Sequence, residues 1–188
     1  NASTGIQEAI NVVASGGEVI VTNGIYSVGT QININRPVTV RSVNGPVETI
    51  IERFSGGAYT RVVRLSDPDG LLEGFTIRGG RLNTSIDWGA GVYVDSGLVR
   101  SCIISGNAVE GRFSSGGGVY LDAGGVIQNC LVIGNDVGNG SWSRADGGGI
   151  YNNGGSVVNC TISGNRAQYD VSIGRGGGIY LAGGTVTN

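Results

Sequence analysis

Four copies of one short phrase constrain the fold of this chain more than any other feature of its sequence. The copies are Gly-Ala-Gly-Val-Tyr at 89–93, Gly-Gly-Gly-Val-Tyr at 116–120, and Gly-Gly-Gly-Ile-Tyr at 147–151 and 176–180. A second phrase, which ends in Gly-Asn, follows the first three copies in step, at 101–107, 129–135 and 159–165. Successive copies of the first phrase start 27, 31 and 29 residues apart. Such a period is typical of solenoids built from stacked repeats.

Each repeat contains short runs of alternating apolar and polar residues, separated by Gly, Asn and Ser. Because such runs are too short to close a sheet by hairpins at this spacing, each should pair in parallel with its equivalent one coil away. An Asn column is expected at a turn, where Asn tolerates the left-handed conformation and can bond the next Asn in the stack. The predicted columns are Tyr93, Tyr120, Tyr151 and Tyr180; Cys102, Cys130 and Cys160, headed by Phe75; Ile104, Ile133 and Ile162; and Asn107, Asn135 and Asn165.

The segment 18–88 is interpreted as less regular coils of the same solenoid, preceded by an N-terminal cap at 1–17. Thr4 and Gln7 fit a capping box, and apolar residues between Ile6 and Val13 have the spacing of one helix face. Such a helix would cover the apolar end of the first coil and its edge strands. Further strands are predicted at 18–22, 31–34, 38–43, 49–51 and 61–65. We therefore expect one domain over 1–188, with regular repeats at 89–188.

Composition narrows the classes of function. The chain has 37 Gly residues but no His and no Lys, which excludes His-based catalysis, His metal sites and Schiff-base lysines. A net charge of −2 offers no basic footprint for nucleic acid, and no stretch is long and apolar enough to predict a membrane span. Three cysteines cannot all pair within the chain. We expect three buried thiols that act as small apolar side chains.

The opening, Gly5-Ile6-Gln7-Glu8-Ala9-Ile10 followed by 17–26 and 34–42, resembles the start of the right-handed parallel β-helix proteins of the pectate-lyase-like superfamily. The Ile-Ser-Gly-Asn and Gly-Gly-Gly-Ile-Tyr repeats resemble those of bacterial surface β-helix proteins, including the polymorphic outer-membrane protein type. The resemblance implies an all-β, right-handed parallel β-helix solenoid with a short N-terminal capping helix. It also implies an extracellular or cell-surface location in a bacterium. It singles out no function, because the superfamily contains lyases, hydrolases, adhesins and filament components.

No catalytic residue is predicted. A glycosidase needs two carboxylates about 5 to 9.5 Å apart, but several acidic pairs in a solenoid could meet this distance, so the criterion selects none of them. A polysaccharide lyase of this fold would need calcium held by carboxylates. Asp95 and Asp122 occupy equivalent positions after the repeated Tyr, so they are the candidate calcium ligands. The alternative is that each carboxylate closes its own turn. The expectation is a protein without a cofactor, with calcium as the alternative.

Loops of varying length are predicted at 81–88, 108–115, 136–146 and 166–175, each between the Asn column and the next Gly-rich phrase. They should emerge along one edge, and insertions on one side of a solenoid often form its binding face. Aromatic faces beside Arg and Asp suit a glycan or a protein surface. The alternative is that the rings cover the apolar undersides of their own loops. The candidate ligand-binding residues are Trp88, Phe113, Trp142, Tyr169, Arg112, Arg144 and Asp146.

The primary functional hypothesis is a non-catalytic extracellular structural, adhesion or binding module of a bacterial surface protein. One alternative is a fragment of a polysaccharide lyase or hydrolase with catalytic coils outside this chain. Another is a filament subunit that self-associates end to end. The last run, 184–188, matches 155–159 and stops where the Cys column would continue. This favours either a fragment of a longer protein or an open end that pairs with another subunit.

Overall fold

The computed structural model describes residues 2–84, 86–138, 144–168 and 174–188. It begins with one helix, α1 (Ala2–Val12). The strands before the regular repeats are β1 (Glu18–Val21), β2 (Gly24–Val28), β3 (Ile32–Ile34), β4 (Thr39–Ser42), β5 (Thr49–Arg53), β6 (Val63–Leu65), β7 (Leu71–Glu73), β8 (Thr76–Arg78), β9 (Arg81–Leu82) and β10 (Ile86–Trp88). The strands that follow are β11 (Val92–Arg100), β12 (Ile103–Ser105), β13 (Ala108–Val109), β14 (Phe113–Ser115), β15 (Val119–Gln128), β16 (Leu131–Ile133), β17 (Asp136–Val137), β18 (Arg144–Asp146), β19 (Ile150–Val158), β20 (Thr161–Ser163), β21 (Arg166–Ala167), β22 (Gly174–Arg175) and β23 (Ile179–Thr187).

These strands stack in parallel into four sheets that wind as a β-solenoid of about five turns, which confirms the predicted fold class and its N-terminal helix. Sheet A has the order β1-β4-β7-β11-β15-β19-β23, with β3 and β6 joined to it through β11. Sheet B is β2-β5-β8-β12-β16-β20. Two narrow sheets complete the coils: sheet C, β9-β13-β17-β21, and sheet D, β10-β14-β18-β22.

The core is a set of columns in which each buried side chain lies under its equivalent in the next coil. One column of sheet A is Val40, Leu72, Val99, Ile127 and Val157, each at most 1% exposed. Burying a side chain of this size contributes roughly 1.5–3 kcal/mol to stability. A smaller second core lies between sheets C and D and contains Ala90, Val109, Val137 and Ala145.

The helix covers the first coil as expected, but its predicted capping box is wrong. Ile6 and Ile10 are buried in the main core, and Ala9 and Val13 pack against it. The helix already begins at Ala2, so Gln7 lies in its middle and cannot reach back to an N-cap at Thr4. The Gln7 amide instead bonds the backbone of Asn33.

The register confirms the Tyr and Cys columns but corrects one apolar column. Tyr93, Tyr120, Tyr151 and Tyr180 are Cα partners in successive coils. In sheet B, Ile104 pairs with Val132, and Val132 pairs with Ile162. Ile133 instead pairs with Ser105 and is 38% exposed, because a shift of one residue along a strand moves a side chain to the other face.

The Asn column is present, although its members are not left-handed. Asn107 Nδ2 donates to Asn135 Oδ1 over 2.9 Å, and Asn135 Nδ2 donates to Asn165 Oδ1 over 2.9 Å. Among the described residues, the non-glycine residues with positive φ are Ser101, Asn129 and Asn159, each at the position before a Cys. Gly106, Gly134 and Gly164 supply positive φ before the Asn column.

The three thiols are free, and Cys102 and Cys130 are buried in the main core, as the sequence predicts. Cys160 is partly buried and packs against the same core. A hydrogen bond with the Cys102 thiol and burial raise the pKa of Cys130 to about 12, while a hydrogen bond with the Cys160 thiol opposes the rise.

The segments predicted as loops are largely built from short strands. Each begins with a strand of sheet C and ends with a strand of sheet D. The tips between those strands account for most of the difference in length among the segments. The strand β2 was also missed, because Asn23-Gly24 indicated a turn where the chain enters sheet B directly.

Candidate functional site

Sheet D carries Trp88 and Phe113, two of the aromatic residues that the sequence singled out. Register pairs Ile86 with Phe113 and Trp88 with Ser115. Phe113 is 59% exposed and Trp88 is 37% exposed, while Ser114, between Phe113 and Ser115, is buried. Both rings project from hydrogen-bonded strands, so the stack of coils fixes the backbone positions from which they extend. We call this surface the sheet D edge.

Trp88 packs one face of its ring on the Tyr column. Its ring stacks on Tyr120 with centroids 5.1 Å apart and planes inclined by 21°, and it meets Tyr93 edge to face at 6.5 Å. The residue that follows Trp88 in its own column is Ser115, whose small side chain leaves room for the indole to reach Tyr120. Trp88 therefore joins a packed aromatic ladder and still exposes part of its ring.

The ladder continues along the solenoid with little change in spacing. Tyr120 stacks on Tyr151 at 5.1 Å, and Tyr151 stacks on Tyr180 at 5.2 Å. The Arg175 guanidinium lies 4.5 Å from the Tyr180 centroid, which is cation–π geometry. Burial raises the pKa of Tyr120 to about 12, and burial with a hydrogen bond to Asp122 raises the pKa of Tyr93 further.

Asp95 and Asp122, the candidate calcium ligands, are each bonded to protein groups. Arg64 donates to both carboxylate oxygens of Asp95 over 2.8 Å. Asp122 accepts the Tyr93 hydroxyl on one oxygen and the Asn153 amide on the other, each over 2.8 Å. All four oxygens thus accept a hydrogen bond from a protein group, and a bound Ca²⁺ ion would have to share or displace these donors. Within the described residues, no group of three or more His, Cys, Asp or Glu residues could hold a metal ion. Calcium binding here stays a prediction.

The remaining predicted site residues lie in different surroundings. Asp146 is only 2% exposed and receives two hydrogen bonds from Arg175, of 2.8 and 2.9 Å. Arg112 lies in the tip between sheets C and D, and Arg144 is the first residue of β18, where its backbone pairs with Phe113. Trp142 and Tyr169 lie outside the described residues.

Sequence reasoning missed a second surface, the outer face of sheet C. Its register aligns Arg81, Ala108, Asp136 and Arg166 in one outward column. Arg81 forms an ion pair with Glu110, and Arg166 lies 3.8 Å from Asp136. These residues line a cleft of about 340 Å³ with Val109 and Gly138. A two-residue strand has no periodic sequence signal, so only the stacking reveals this alignment.

Other outward-facing carboxylates form ion pairs with Arg side chains of neighbouring coils. Glu18 pairs with Arg41, Glu73 with Arg100 and Glu52 with Arg78. No helix in the described part of the chain is long and apolar enough to cross a membrane.

This geometry defines the chain as a parallel β-solenoid with an aromatic ladder along one face. No protein-family model, curated protein or solved structure matches it.

Proposed function

We propose that this chain is a non-catalytic binding module of a bacterial surface protein, and that the sheet D edge binds a glycan. The observation that carries the proposal is the exposure of Trp88 and Phe113 on neighbouring, hydrogen-bonded strands. Aromatic rings supply large contact areas and favour stacking on the apolar faces of ligands. The Trp88 ring, which is already packed on Tyr120, loses little conformational entropy when a ligand binds.

The polar groups around the rings support binding more than catalysis. Asp146 lies in the same register column as Trp88 and Ser115, and its carboxylate is held by Arg175. A hydrolase would need a carboxyl group that is free to exchange a proton with its substrate. The resemblance of the repeats to bacterial surface β-helix proteins supports the extracellular location and the pectate-lyase-like ancestry that we propose with this function.

The test is a binding measurement on a panel of purified bacterial and plant polysaccharides, by affinity electrophoresis and then by calorimetry. We expect Phe113→Ala to weaken binding of the retained polysaccharide at least about tenfold, which corresponds to about 1.4 kcal/mol. Ile25→Ala is the matched control, because Ile25 is equally exposed but lies on sheet B.

Trp88→Ala needs a separate check of folding, since Trp88 also covers Tyr120. Circular dichroism and thermal unfolding of this variant would show whether a loss of binding reflects a loss of structure. Unchanged affinity of Phe113→Ala, or the absence of any retained polysaccharide, would contradict the proposal.

A further inference from the structure

The cleft on sheet C has small side chains along its floor and charged groups on both sides. Ala108 lies between Arg81 and Asp136 in the outward column, and Gly138 lies beyond Asp136 along the chain. The Arg81–Glu110 pair forms one wall, and Asp136 with Arg166 forms the other. A small ligand could therefore reach the charged groups without displacing a large side chain.

The Asp136–Arg166 pair differs from the other ion pairs of this solenoid. The pairs of Arg64, Arg78, Arg100 and Arg175 close at 2.7 to 2.8 Å. The Arg166 Nε atom stands 3.8 Å from Asp136 Oδ1, and its side chain is 60% exposed. Asp136 Oδ1 is buried and has no hydrogen-bond partner among the described residues. A buried oxygen without a partner is uncommon in folded proteins and calls for an explanation.

Burial and the neighbouring charges together determine the pKa of the Asp136 carboxyl group. Burial, the largest cause, raises the pKa of Asp136, and the Glu110 carboxylate that follows β13 adds to the rise. Arg166 on β21 and the backbone amide of Val137 oppose it. Arg81 on β9 is already paired with Glu110. Protonation of Asp136 removes the counter-charge that Arg166 has among the described residues and changes the sum of these four side-chain charges from zero to +1.

We propose that this cleft is a binding site for a small oxyanion, a sulfate or carboxylate group, which binds when Asp136 is protonated. The protonated carboxyl group then donates its O–H to the anion, and the Arg166 guanidinium donates two N–H groups in the fork geometry that such anions prefer. When Asp136 is ionised, its carboxylate competes with the anion for Arg166 and repels it. The site is independent of the glycan-binding function proposed for the sheet D edge.

The experiment titrates the protein with sodium sulfate at pH 4.5 and pH 7.5, at constant ionic strength, and follows binding by calorimetry and by the backbone NMR signals of Ala108 and Gly138. We expect sulfate to bind more tightly at pH 4.5 than at pH 7.5, because protonation of Asp136 removes the competing charge. At pH 7.5, Asp136→Asn should bind sulfate at least about tenfold more tightly than the wild type, because the competing charge is absent at every pH. Its affinity should equal or exceed that of the wild type at pH 4.5 and should not depend on pH. This variant keeps the test valid if acid alone perturbs the fold.

Arg166→Gln should abolish binding, whereas the matched control Arg100→Gln, which removes an Arg of sheet A, should not. Equal binding by the wild type and Arg166→Gln, or no gain in Asp136→Asn, would overturn the proposal. A sulfated oligosaccharide distinguishes the two sources of the anion. If each sulfate group of the oligosaccharide binds more tightly than inorganic sulfate, the ligand is a sulfate group carried on a polymer. Equal affinity indicates that the ligand is the free ion.

Discussion

The side-chain amide of Gln7 bonds the backbone of Asn33 as a neighbouring strand would. Gln7 Nε2 donates to the Asn33 carbonyl over 3.1 Å, and the Asn33 N–H donates to Gln7 Oε1 over 2.7 Å. Asn33 lies in β3, which pairs on its other side with β6. A primary amide carries one donor and one acceptor side by side, so one side chain satisfies both backbone groups of an edge residue. The helix thus covers the first coil with polar as well as apolar contacts.

Replacing Gln7 by Glu should destabilise the protein by about 1–3 kcal/mol, because the donor is lost and a carboxylate oxygen faces the Asn33 carbonyl. Urea unfolding followed by circular dichroism measures the change. Glu8→Gln is the control, since Glu8 is an exposed residue of the same helix. Equal stability of the two variants would show that the hydrogen bonds between Gln7 and Asn33 contribute nothing to stability.

Adjacent substitutions in β16 test the register. Val132 is fully buried, so Val132→Ala should lower the free energy of unfolding by about 2–3 kcal/mol. Ile133 faces outward, so Ile133→Ala should cost less than about 1 kcal/mol. Chemical denaturation of both variants measures this, and a larger loss for Ile133→Ala would refute the register.

The buried ion pair of Asp146 should be far more sensitive than an exposed one. Arg175→Met keeps most of the aliphatic stem but leaves the Asp146 carboxylate buried without this partner. We expect a loss of about 2–3 kcal/mol in thermal or urea unfolding, at the low end for buried pairs because Arg175 is partly exposed. Arg100→Met, at the more exposed Glu73 pair, should cost no more than about 1 kcal/mol. Similar losses of stability in the two variants would show that burial of Asp146 does not make its ion pair more sensitive.

Alkaline pH should destabilise the tyrosine ladder. The pKa values of Tyr93 and Tyr120 are raised in the folded protein, Tyr120 to about 12. The folded state therefore holds these protons more tightly than the unfolded state, whose tyrosines titrate near 10. The resulting stability is fully present below pH 10 and is lost as pH rises above it.

Absorbance at 295 nm during a pH titration should show Tyr93 and Tyr120 ionising later than the exposed tyrosines. Tyr93→Phe should remove one late proton and part of the alkaline loss of stability. If every tyrosine of the wild type ionises near pH 10 while circular dichroism remains native, the burial of this ladder is contradicted.

The repeated phrases were sufficient to predict the Tyr, Cys and Asn columns, because each phrase carries a distinctive residue at a fixed place. The apolar column was less well defined. The run Leu131-Val132-Ile133 offers three residues that could all face the core, and local alternation does not choose among them. Pairing with Ile104 and Ile162 places Val132 inside.

The candidate site was predicted only in part for a similar reason. Trp88 and Phe113 stood out by residue type, and both are exposed on sheet D. The partnership of Asp146 with Arg175 joins residues 29 positions apart. The alignment of Asp136 with Arg166 requires the register of two-residue strands. Neither relationship has a signal in the local sequence.

By itself, the sequence determined that this chain winds as a parallel β-solenoid with a helix over its first coil. The physical reason is that strands with no local partner can satisfy their backbone groups only in the next repeat. The tertiary structure alone decided which charged groups meet across coils. Stacking gave Arg partners to Glu18, Glu52, Glu73, Asp95, Glu110 and Asp146, and it left Asp136 Oδ1 buried without a hydrogen bond among the described residues. The formation of these ion pairs depends on side-chain distances between coils, and the period of a repeat does not specify those distances.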